Sequence, residues 1–282
     1  MKIHHIRNAT ALLTLGQHRL LIDPMFAKVG SMPGFKMFGG GRRRNPLVPL
    51  PEGAMEIMSQ ATGILVTHEH PDHFDPRALA WAKRQGLPVW AGAVDAPNLK
   101  RKGLDARELT NGALEGVASE VLLASHGRGL VGWLMGPVSG FYLAMDGEPS
   151  LYITGDTVLT KSVLDDIERL KPDVILAPAG SANFGLGRSI IFDLDELMAL
   201  TRLAPGQVVF NHMEALDHCG TTRNILSERM EKEGLLEKVH IPADGQAVTL
   251  PGARQRGHVA PGRGVPNKPG LQKWVTARFA GT

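Results

Sequence analysis

The 282-residue sequence has a single cysteine, Cys219, and only 5% aromatic residues. One cysteine excludes an internal disulfide and a zinc site built from several thiolates. It also fits a reducing compartment, so we expect a cytoplasmic location. Any metal ion in this protein must therefore be held by histidines and carboxylates.

The sequence also lacks long apolar runs and a recognisable leader. No stretch approaches the roughly 18 consecutive apolar residues that can span a bilayer. The start, MKIHHIRNAT, does not have the basic and then apolar pattern of a signal peptide. Because 43% of the residues are hydrophobic and 21% are charged, the composition is that of an ordinary globular protein. We expect no membrane association.

Acidic residues are missing from the last part of the chain. Residues 252–282 contain six lysines and arginines, no aspartate or glutamate, and many glycines and prolines. The whole chain has a net charge of +3, but residues 1–251 carry 25 basic and 28 acidic side chains. We predict one domain over 1–251 and a solvated basic tail over 252–282, with a polyanion-binding arm as the alternative for the tail. An acidic domain repels polyanions, so we expect no nucleic-acid partner.

Two stretches of the chain repeat one pattern of strands. Residues 9–26 read as two apolar strands joined by a Gly-Gln turn and followed by Asp23, and residues 141–158 read as two strands joined by an Asp-Gly turn and followed by Asp156. After each pair, buried strands alternate with amphipathic helices, the first of which runs from about Asp75 to Gln85. This doubling predicts an α/β fold, a four-layered αβ/βα sandwich of two mixed β-sheets with helices on the outer faces.

Residues 30–53 follow neither a helical nor a strand period. The segment has glycines at 30, 34, 39, 40 and 41, several apolar side chains, and the run Arg42-Arg43-Arg44. Long loops inside compact domains are often functional. We predict a mobile lid whose arginines hold an anionic group of the substrate. The alternative is a solvated insert whose arginines keep it soluble.

Four side chains of metal-ligand type fall within six residues, directly after the apolar strand GILVT. His68 and His70 are two residues apart in an extended segment, so both rings point the same way and can bind one ion. Pro71 then turns the chain. Asp72 and His73 are thereby free to face a second ion beside the first.

Three more residues of ligand type end other predicted strands, namely His126, Asp156 and His212. A single histidine at a strand end is usually an ordinary hydrogen-bonded residue. Here, however, that explanation would have to hold separately for seven residues. The sequence therefore favours a metal site formed where the strands end.

These residues resemble the metallo-β-lactamase superfamily of hydrolases, whose pattern is H-x-H-x-D-H followed by His, Asp and His at later strand ends. All seven positions are filled, and the resemblance covers most of residues 1–250. It looks closest to the branch of ascorbate-6-phosphate lactonase and implies the αβ/βα sandwich. The implied ligands are His68, His70 and His126 for one ion, Asp72, His73 and His212 for the other, and Asp156 as the bridge.

The resemblance also implies a mechanism. Two divalent ions about 3.5–4 Å apart share a water, lower its pKa and deliver a bridging hydroxide at neutral pH. Asp72 is the expected catalytic residue, which orients the hydroxide and returns a proton to the leaving group. Imidazoles and carboxylates suit zinc, manganese or iron, and we expect zinc.

The predicted activity is metal-dependent hydrolysis of a small lactone, phosphoester or related ester or amide. Its partner is then a small-molecule substrate, anionic ones included, and the oligomeric state stays open, with a homo-oligomer as one option. Three alternatives are a phosphodiesterase or nuclease, a non-catalytic binding module on the same fold, and a redox di-iron protein. A nuclease would need a basic, aromatic-lined groove. A binding module would normally have lost ligands, and related di-iron proteins commonly replace the second histidine of the cluster, here His70, with Glu.

Four further residues lie near the motifs in the sequence. Asp23 resembles the first-motif aspartate of the superfamily, which supports the metal loop through hydrogen bonds. Asn8 stands where lactonase-like relatives often carry a histidine, which weakens any assignment of substrate. His218 and Cys219 either reach the pocket or begin a helix, and we favour the structural role.

Overall fold

A computed structural model describes residues 1–252, and the predicted basic tail lies outside the described residues from residue 253 onward. Within residues 1–252, thirteen strands form one sheet of seven strands and one of six. In chain order the strands are β1 (Lys2–Arg7), β2 (Thr10–Leu15), β3 (His18–Ile22), β4 (Gly63–Val66), β5 (Val89–Ala91), β6 (Ala106–Glu108), β7 (Val117–Ser125), β8 (Pro137–Met145), β9 (Leu151–Ile153), β10 (Val174–Pro178), β11 (Gln207–Asn211), β12 (Val239–His240) and β13 (Ala247–Thr249).

Seven α-helices and one short 3₁₀ helix, Leu236–Lys238, occur in the same 252 residues. The α-helices are α1 (Ala54–Met58), α2 (Pro76–Gln85), α3 (Ala96–Arg101), α4 (Gly129–Met135), α5 (Lys161–Leu170), α6 (Leu194–Leu203) and α7 (Arg223–Lys232). None of them is long and apolar enough to cross a membrane.

The predicted helix after the histidine cluster is confirmed as α2. The Asp75 side chain accepts a hydrogen bond from the backbone N–H of Ala78, Pro76 occupies the first helical turn, and Gly86 ends the helix with φ +61°. In contrast, α1, α3 and α4 are only five to seven residues long. Helices this short show less than two turns of periodicity, which is why the sequence did not indicate them.

The two sheets follow the same plan. Their strand orders are β13-β1-β2-β3-β4-β5-β6 and β12-β11-β10-β9-β8-β7. Parallel pairing runs from β3 to β6 in the first sheet and from β9 to β12 in the second, and the remaining pairs are antiparallel. The two predicted strand pairs are the antiparallel pairs β2–β3 and β8–β9. The prediction of two mixed sheets is therefore confirmed.

Side chains on successive strand residues alternate between two apolar layers, as the pleat of a strand requires. On β4, Leu65 belongs to the cluster between the sheets together with Phe141 of β8, whereas Ile64 belongs to the cluster formed with Trp81 of α2. A third cluster joins the outer face of the second sheet to α5, α6 and α7. The resulting order of layers, helices, sheet, sheet and helices, is the predicted sandwich.

The strand directions bring the ends of five strands to one edge of the sandwich. In the first sheet β3 and β4 are parallel, and in the second β7, β9 and β11 all run the same way. The two sheets are joined at this edge, because Ser139 N–H donates a 3.0 Å hydrogen bond to the carbonyl of Thr67. Residues that directly follow these strands can therefore meet.

Residues 30–53 form the predicted loop. Met32 and Asn45 form an isolated β-bridge within the segment. Helix α1 begins directly after residue 53. Arg7, which is fully buried on β1, holds both ends of the loop. Its guanidinium donates hydrogen bonds of 2.9–3.0 Å to the carbonyls of Met25, Ala27 and Val48.

Candidate metal centre

All seven predicted ligands meet at the shared edge of the two sheets. Within the described residues they form two groups, and inside each group the candidate ligand atoms lie within 4.8 Å of one another. The groups are His68, His70 and His126, and Asp72, His73, Asp156 and His212. This division matches the one implied by the resemblance, with Asp156 falling in the second group.

One oxygen of Asp156 lies close to histidines of both groups. Its Oδ2 is 3.2 Å from Nε2 of His73, 3.4 Å from Nε2 of His212, and 3.4 Å from Nε2 of His126. In residues 1–252, Nε2 of His73 and of His212 is buried without a hydrogen-bond partner. Buried polar atoms normally have partners. The nitrogens and the carboxylate oxygen therefore converge on shared points rather than on each other, as ligands of a cation do.

Hydrogen bonds to the other ring nitrogens fix which atom of each imidazole is free. Nδ1 of His73 lies 2.9 Å from Asp23 Oδ2, and Nδ1 of His126 lies 2.9 Å from the Ile190 carbonyl. Both acceptors require a proton on Nδ1, which leaves the Nε2 lone pair for an ion.

A similar arrangement orients the first histidine of the cluster. Thr67 donates a 2.7 Å hydrogen bond from Oγ1 to Asp23 and so accepts the 2.9 Å bond from Nδ1 of His68. Nε2 of His68 lies 2.9 Å from Nδ1 of His70. One ion can therefore bind both nitrogens. Sequence reasoning missed the role of Thr67, although it directly precedes the cluster.

The two groups differ in charge. Burial lowers the pKa of His126 to about 4 and that of His68 well below its usual range, so these rings are neutral. Burial also lowers the pKa of His73, but Asp156, Asp72 and Asp23 outweigh burial and raise it to about 10. Without a cation, the carboxylates of the second group are thus balanced by imidazolium rings. A divalent cation would replace those protons.

The backbone around the centre is held in uncommon conformations. Asn8, Asp23 and His212 have φ of 58°, 42° and 58°. His212 N–H donates a 2.8 Å bond to the Asn8 carbonyl, and Asn8 Nδ2 donates a 3.1 Å bond to the Asp72 carbonyl. Asn8 thus connects the backbone at Asp72 with the backbone at His212, and both residues are candidate ligands. Positive φ at non-glycine residues concentrates at functional sites.

Gly155 is required immediately before Asp156. Its φ is +61°, and an added Cβ would lie 2.8 Å from the Ser139 carbonyl oxygen. A side chain here would push apart the two segments that carry the centre. Glycine therefore lets the Asp156 carboxylate approach the ligands from the first sheet.

Glu69, between the first two histidines, belongs to neither candidate ligand group. Its carboxylate accepts hydrogen bonds from Asn98 of α3 and from Lys102 Nζ, the latter at 2.6 Å. This contact fixes the extended ligand segment against a helix. No sequence pattern predicts this contact, since Asn98 and Lys102 lie about thirty residues away.

The structure places both His218 and Cys219 beside the centre. Cys219 Sγ lies 3.6 Å from Nδ1 of His212, and the His218 ring lies edge-on to the His212 ring with centroids 6.5 Å apart. Neither residue belongs to a helix, because α7 begins at Arg223. Our preference for a role at the start of a helix is therefore wrong.

Asp217 anchors the 30–53 loop beside the centre. Its carboxylate accepts hydrogen bonds from the backbone N–H groups of Phe35, Lys36 and Arg43 and from Asn45 Nδ2 at 2.8–3.3 Å. These hydrogen bonds outweigh burial and lower the pKa of Asp217. The loop is therefore fastened to the segment that carries His218.

The three arginines of the loop are exposed, but two of them bind the loop itself. Arg42 Nε donates a 3.0 Å bond to the Gly34 carbonyl, and Arg44 donates to the carbonyls of Gly30 and Ser31. Within residues 1–252, no hydrogen bond or ion pair engages the Arg43 side chain. Substrate binding by these arginines and lid motion stay predictions.

Exposed apolar side chains lie on three segments next to the centre. The segments contact one another, because the N–H groups of Met37 and Phe38 donate 2.9 Å bonds to the Phe184 carbonyl, and Phe184 packs in one cluster with Met135 of α4. We call these exposed side chains the apolar rim: Met37, Phe38, Leu130, Trp133 and Leu186. The rim is an exposed apolar surface on segments that pack in one cluster with Cys219, which contacts the candidate ligand His212.

Comparison with known proteins agrees with this geometry. The sequence model of the Beta-lactamase superfamily domain matches residues 18–213. The chain is 31% identical over 256 residues to the UPF0173 protein YddR of Bacillus subtilis, covering 89% of this chain and 100% of the relative. It is 29% identical over 259 residues to a UPF0173 metal-dependent hydrolase of Methylobacterium nodulans, covering 89% of this chain and 100% of that relative.

Among solved structures, an isothiocyanate hydrolase from Delia radicum gut bacteria superposes with a TM-score of 0.82 at 28% identity, covering 89% of this chain and 99% of that one. The chain therefore belongs to the β-lactamase superfamily and has the metallo-β-lactamase fold. It is a metal-dependent hydrolase with a candidate metal-binding site of seven residues. The predicted fold and enzyme class are confirmed, whereas the lactonase branch, zinc and the cytoplasm stay predictions.

Proposed function

We propose that the chain is a dinuclear hydrolase, in which His68, His70 and His126 hold one divalent ion, Asp72, His73 and His212 hold the second, and Asp156 bridges them. The observation that carries this proposal is the position of Asp156 Oδ2, within 3.4 Å of imidazole nitrogens from both groups. A carboxylate placed there offsets the repulsion between two cations. The buried, unpartnered Nε2 atoms of His73 and His212 support their assignment as ligands of the second ion.

Divalent ions bound at this centre would generate hydroxide at neutral pH and polarise the bond under attack, with zinc as our first choice and manganese or iron as alternatives. The chain contributes position and charge. Asp72 Oδ2 lies 3.3 Å from His212 Nε2 and 3.7 Å from His73 Nε2, at the edge of the second group. From there the carboxylate can accept a hydrogen bond from the nucleophile and return a proton to the leaving group.

The substrate we propose is a small molecule with a polar reactive group and an apolar substituent. Lactones, phosphoesters and related esters or amides all offer a centre that hydroxide can attack. The apolar rim supports the apolar substituent, since exposed apolar side chains concentrate where apolar ligands bind.

An isothiocyanate is a second candidate substrate. Two observations favour it, the 28% identity to an isothiocyanate hydrolase over 89% of this chain and the apolar rim. An isothiocyanate joins an apolar substituent to an electrophilic carbon without any charged group. The exposed arginines of the loop then play no part in recognition.

Metal reconstitution with a substrate panel tests this function. Chelator-treated protein is reloaded with zinc, manganese or iron(II) and assayed with a lactone, a phosphodiester, a phosphomonoester, an ester, an amide and benzyl isothiocyanate. We expect hydrolysis of at least one compound by loaded protein and none by metal-free protein. Asp146→Ala, which removes an exposed aspartate from the turn between β8 and β9, is the control and should retain full activity. Equal turnover with and without metal would defeat the proposal.

A further inference from the structure

His218 is a buried histidine whose Nδ1 is not used by the fold. The residue is only 7% exposed, and its Nδ1 has no hydrogen-bond partner within residues 1–252. In this respect Nδ1 resembles Nε2 of His73 and of His212, the other buried and unpartnered imidazole nitrogens near the centre. His218 is not a member of either candidate ligand group.

The ring contacts both the metal centre and the 30–53 loop. It packs edge-on against His212 and against Phe35, and the His218 and Phe35 centroids are 5.3 Å apart with the planes at 85°. Asp72 is the carboxylate with the strongest electrostatic effect on it. A molecule bound at the centre beneath this loop would therefore adjoin the His218 ring.

The backbone of His218 is fixed independently of its ring. Its carbonyl accepts a 3.0 Å bond from Asn183 N–H. The preceding residue, Asp217, anchors the loop, and the following residue, Cys219, contacts His212. Phenylalanine also offers an aromatic ring for these two edge-on contacts and has no polar atom to desolvate. Stability therefore does not account for an imidazole at this position, and a bound ligand does.

We propose that His218 is a catalytic residue that donates a hydrogen bond to the substrate heteroatom on which negative charge develops. This inference rests on the proposed function. Hydroxide adds to the electrophilic centre, the electron pair of the attacked double bond moves onto its oxygen or sulfur, and the His218 N–H stabilises that charge. No proton leaves the ring. An imidazole keeps at least one N–H donor whether neutral or protonated.

Two substitutions separate this role from a structural one. His218→Phe keeps an aromatic ring against Phe35 but removes the donor, and His218→Asn restores a donor near the position of Nδ1. His240→Phe is the control, because His240 is a partly buried histidine on β12 and is remote from the ligands.

For His218→Phe we expect an unchanged or higher melting temperature of the metal-free protein, unchanged zinc content, and kcat lowered about 10²-fold with little change in KM. Inorganic phosphate, used as a substrate-independent oxyanion probe, should bind zinc-loaded His218→Phe about tenfold more weakly, the loss of one hydrogen bond. His218→Asn should recover part of both, and His240→Phe should match the parent.

The inference is overturned if His218→Phe lowers the melting temperature or the zinc content, since either result indicates a structural role. Unchanged kcat and unchanged phosphate affinity overturn it as well. If the parent protein binds zinc but hydrolyses nothing in the panel, the proposed function fails and phosphate affinity alone decides the role of His218. A parent protein that binds no zinc defeats both proposals.

Discussion

Asp23 Oδ2 lies 2.9 Å from Nδ1 of His73 and determines which nitrogen of that ring faces the centre. The same carboxylate accepts hydrogen bonds of 2.7–2.8 Å from the hydroxyl and the backbone N–H of Thr67. One residue at the end of β3 thus orients ligands from both groups, His73 directly and His68 through Thr67. Partners of this kind make metal ligands more basic and fix their tautomers.

We therefore predict that Asp23→Asn weakens metal binding without removing a ligand. An amide can present its N–H to Nδ1 of His73 and so favour the wrong tautomer. We expect zinc affinity to fall about 10- to 100-fold, measured by competition with a chromogenic chelator. Asp105→Asn, an exposed aspartate, is the control. Unchanged affinity in Asp23→Asn would show that the orientation of His73 does not depend on this carboxylate.

Asp72→Asn should separate chemistry from metal binding. The substitution keeps the shape of the side chain but removes the charge that we assign to proton transfer. We predict that kcat falls about 10²-fold or more, while elemental analysis still finds at least one ion, at the histidine group. If the pH–rate profile of Asp72→Asn matches that of the parent, Asp72 acts only as a ligand.

The attachment of the loop by Asp217 should depend on pH. Its pKa in the folded protein is lowered, so its stabilising effect is present above the unfolded value near 3.8 and is lost as pH falls through the folded value. We expect Asp217→Asn to make residues 30–53 more susceptible to proteolysis than in the parent at pH 7. Amide hydrogen exchange of Phe35 and Arg43 can be compared between the parent and Asp217→Asn over a range of pH. The difference between the two proteins should become smaller below about pH 4. A difference that grows on acidification would contradict this account.

Arg43 tests whether the loop recognises anions. Arg42 and Arg44 bind carbonyls of the loop, so replacing all three arginines would mix loop structure with substrate binding. We predict that Arg43→Ala raises KM for phosphorylated or carboxylated substrates and leaves KM for neutral substrates and the metal content unchanged. The control is Arg84→Ala, an exposed arginine of α2. Equal effects on charged and neutral substrates would remove Arg43 from recognition.

The sequence was sufficient to predict the sandwich, and the meeting of the seven candidate ligands at one edge, because both depend on local patterns. His68 and His70 share a strand end, Asp156 and His212 follow apolar strands, and parallel strands bring such ends to one edge. The supporting contacts were not predictable, since they join distant parts of the chain without any periodic signal. Ile190 holds His126 across 64 residues, and Asp217 holds Phe35 across 182 residues.

His218 is another residue whose surroundings could not be predicted from the sequence. Its position before α7 suggested a role at the start of that helix, but the chain between Asp217 and Cys219 instead folds back onto His212 and the loop. Only the three-dimensional structure shows that the ring is buried without using its Nδ1. Spacing along the chain cannot distinguish these two arrangements.

Whether two ions share Asp156 can be measured by anomalous scattering from crystals of the zinc-loaded protein and of Asp156→Ala. We predict two peaks in the parent, one among His68, His70 and His126 and one among Asp72, His73 and His212, with Asp156 between them. Asp156→Ala should lose at least one peak together with activity, because the carboxylate that offsets the repulsion between the ions is gone. A single peak in the parent, or an Asp156→Ala protein that keeps both ions and full turnover, would contradict the account.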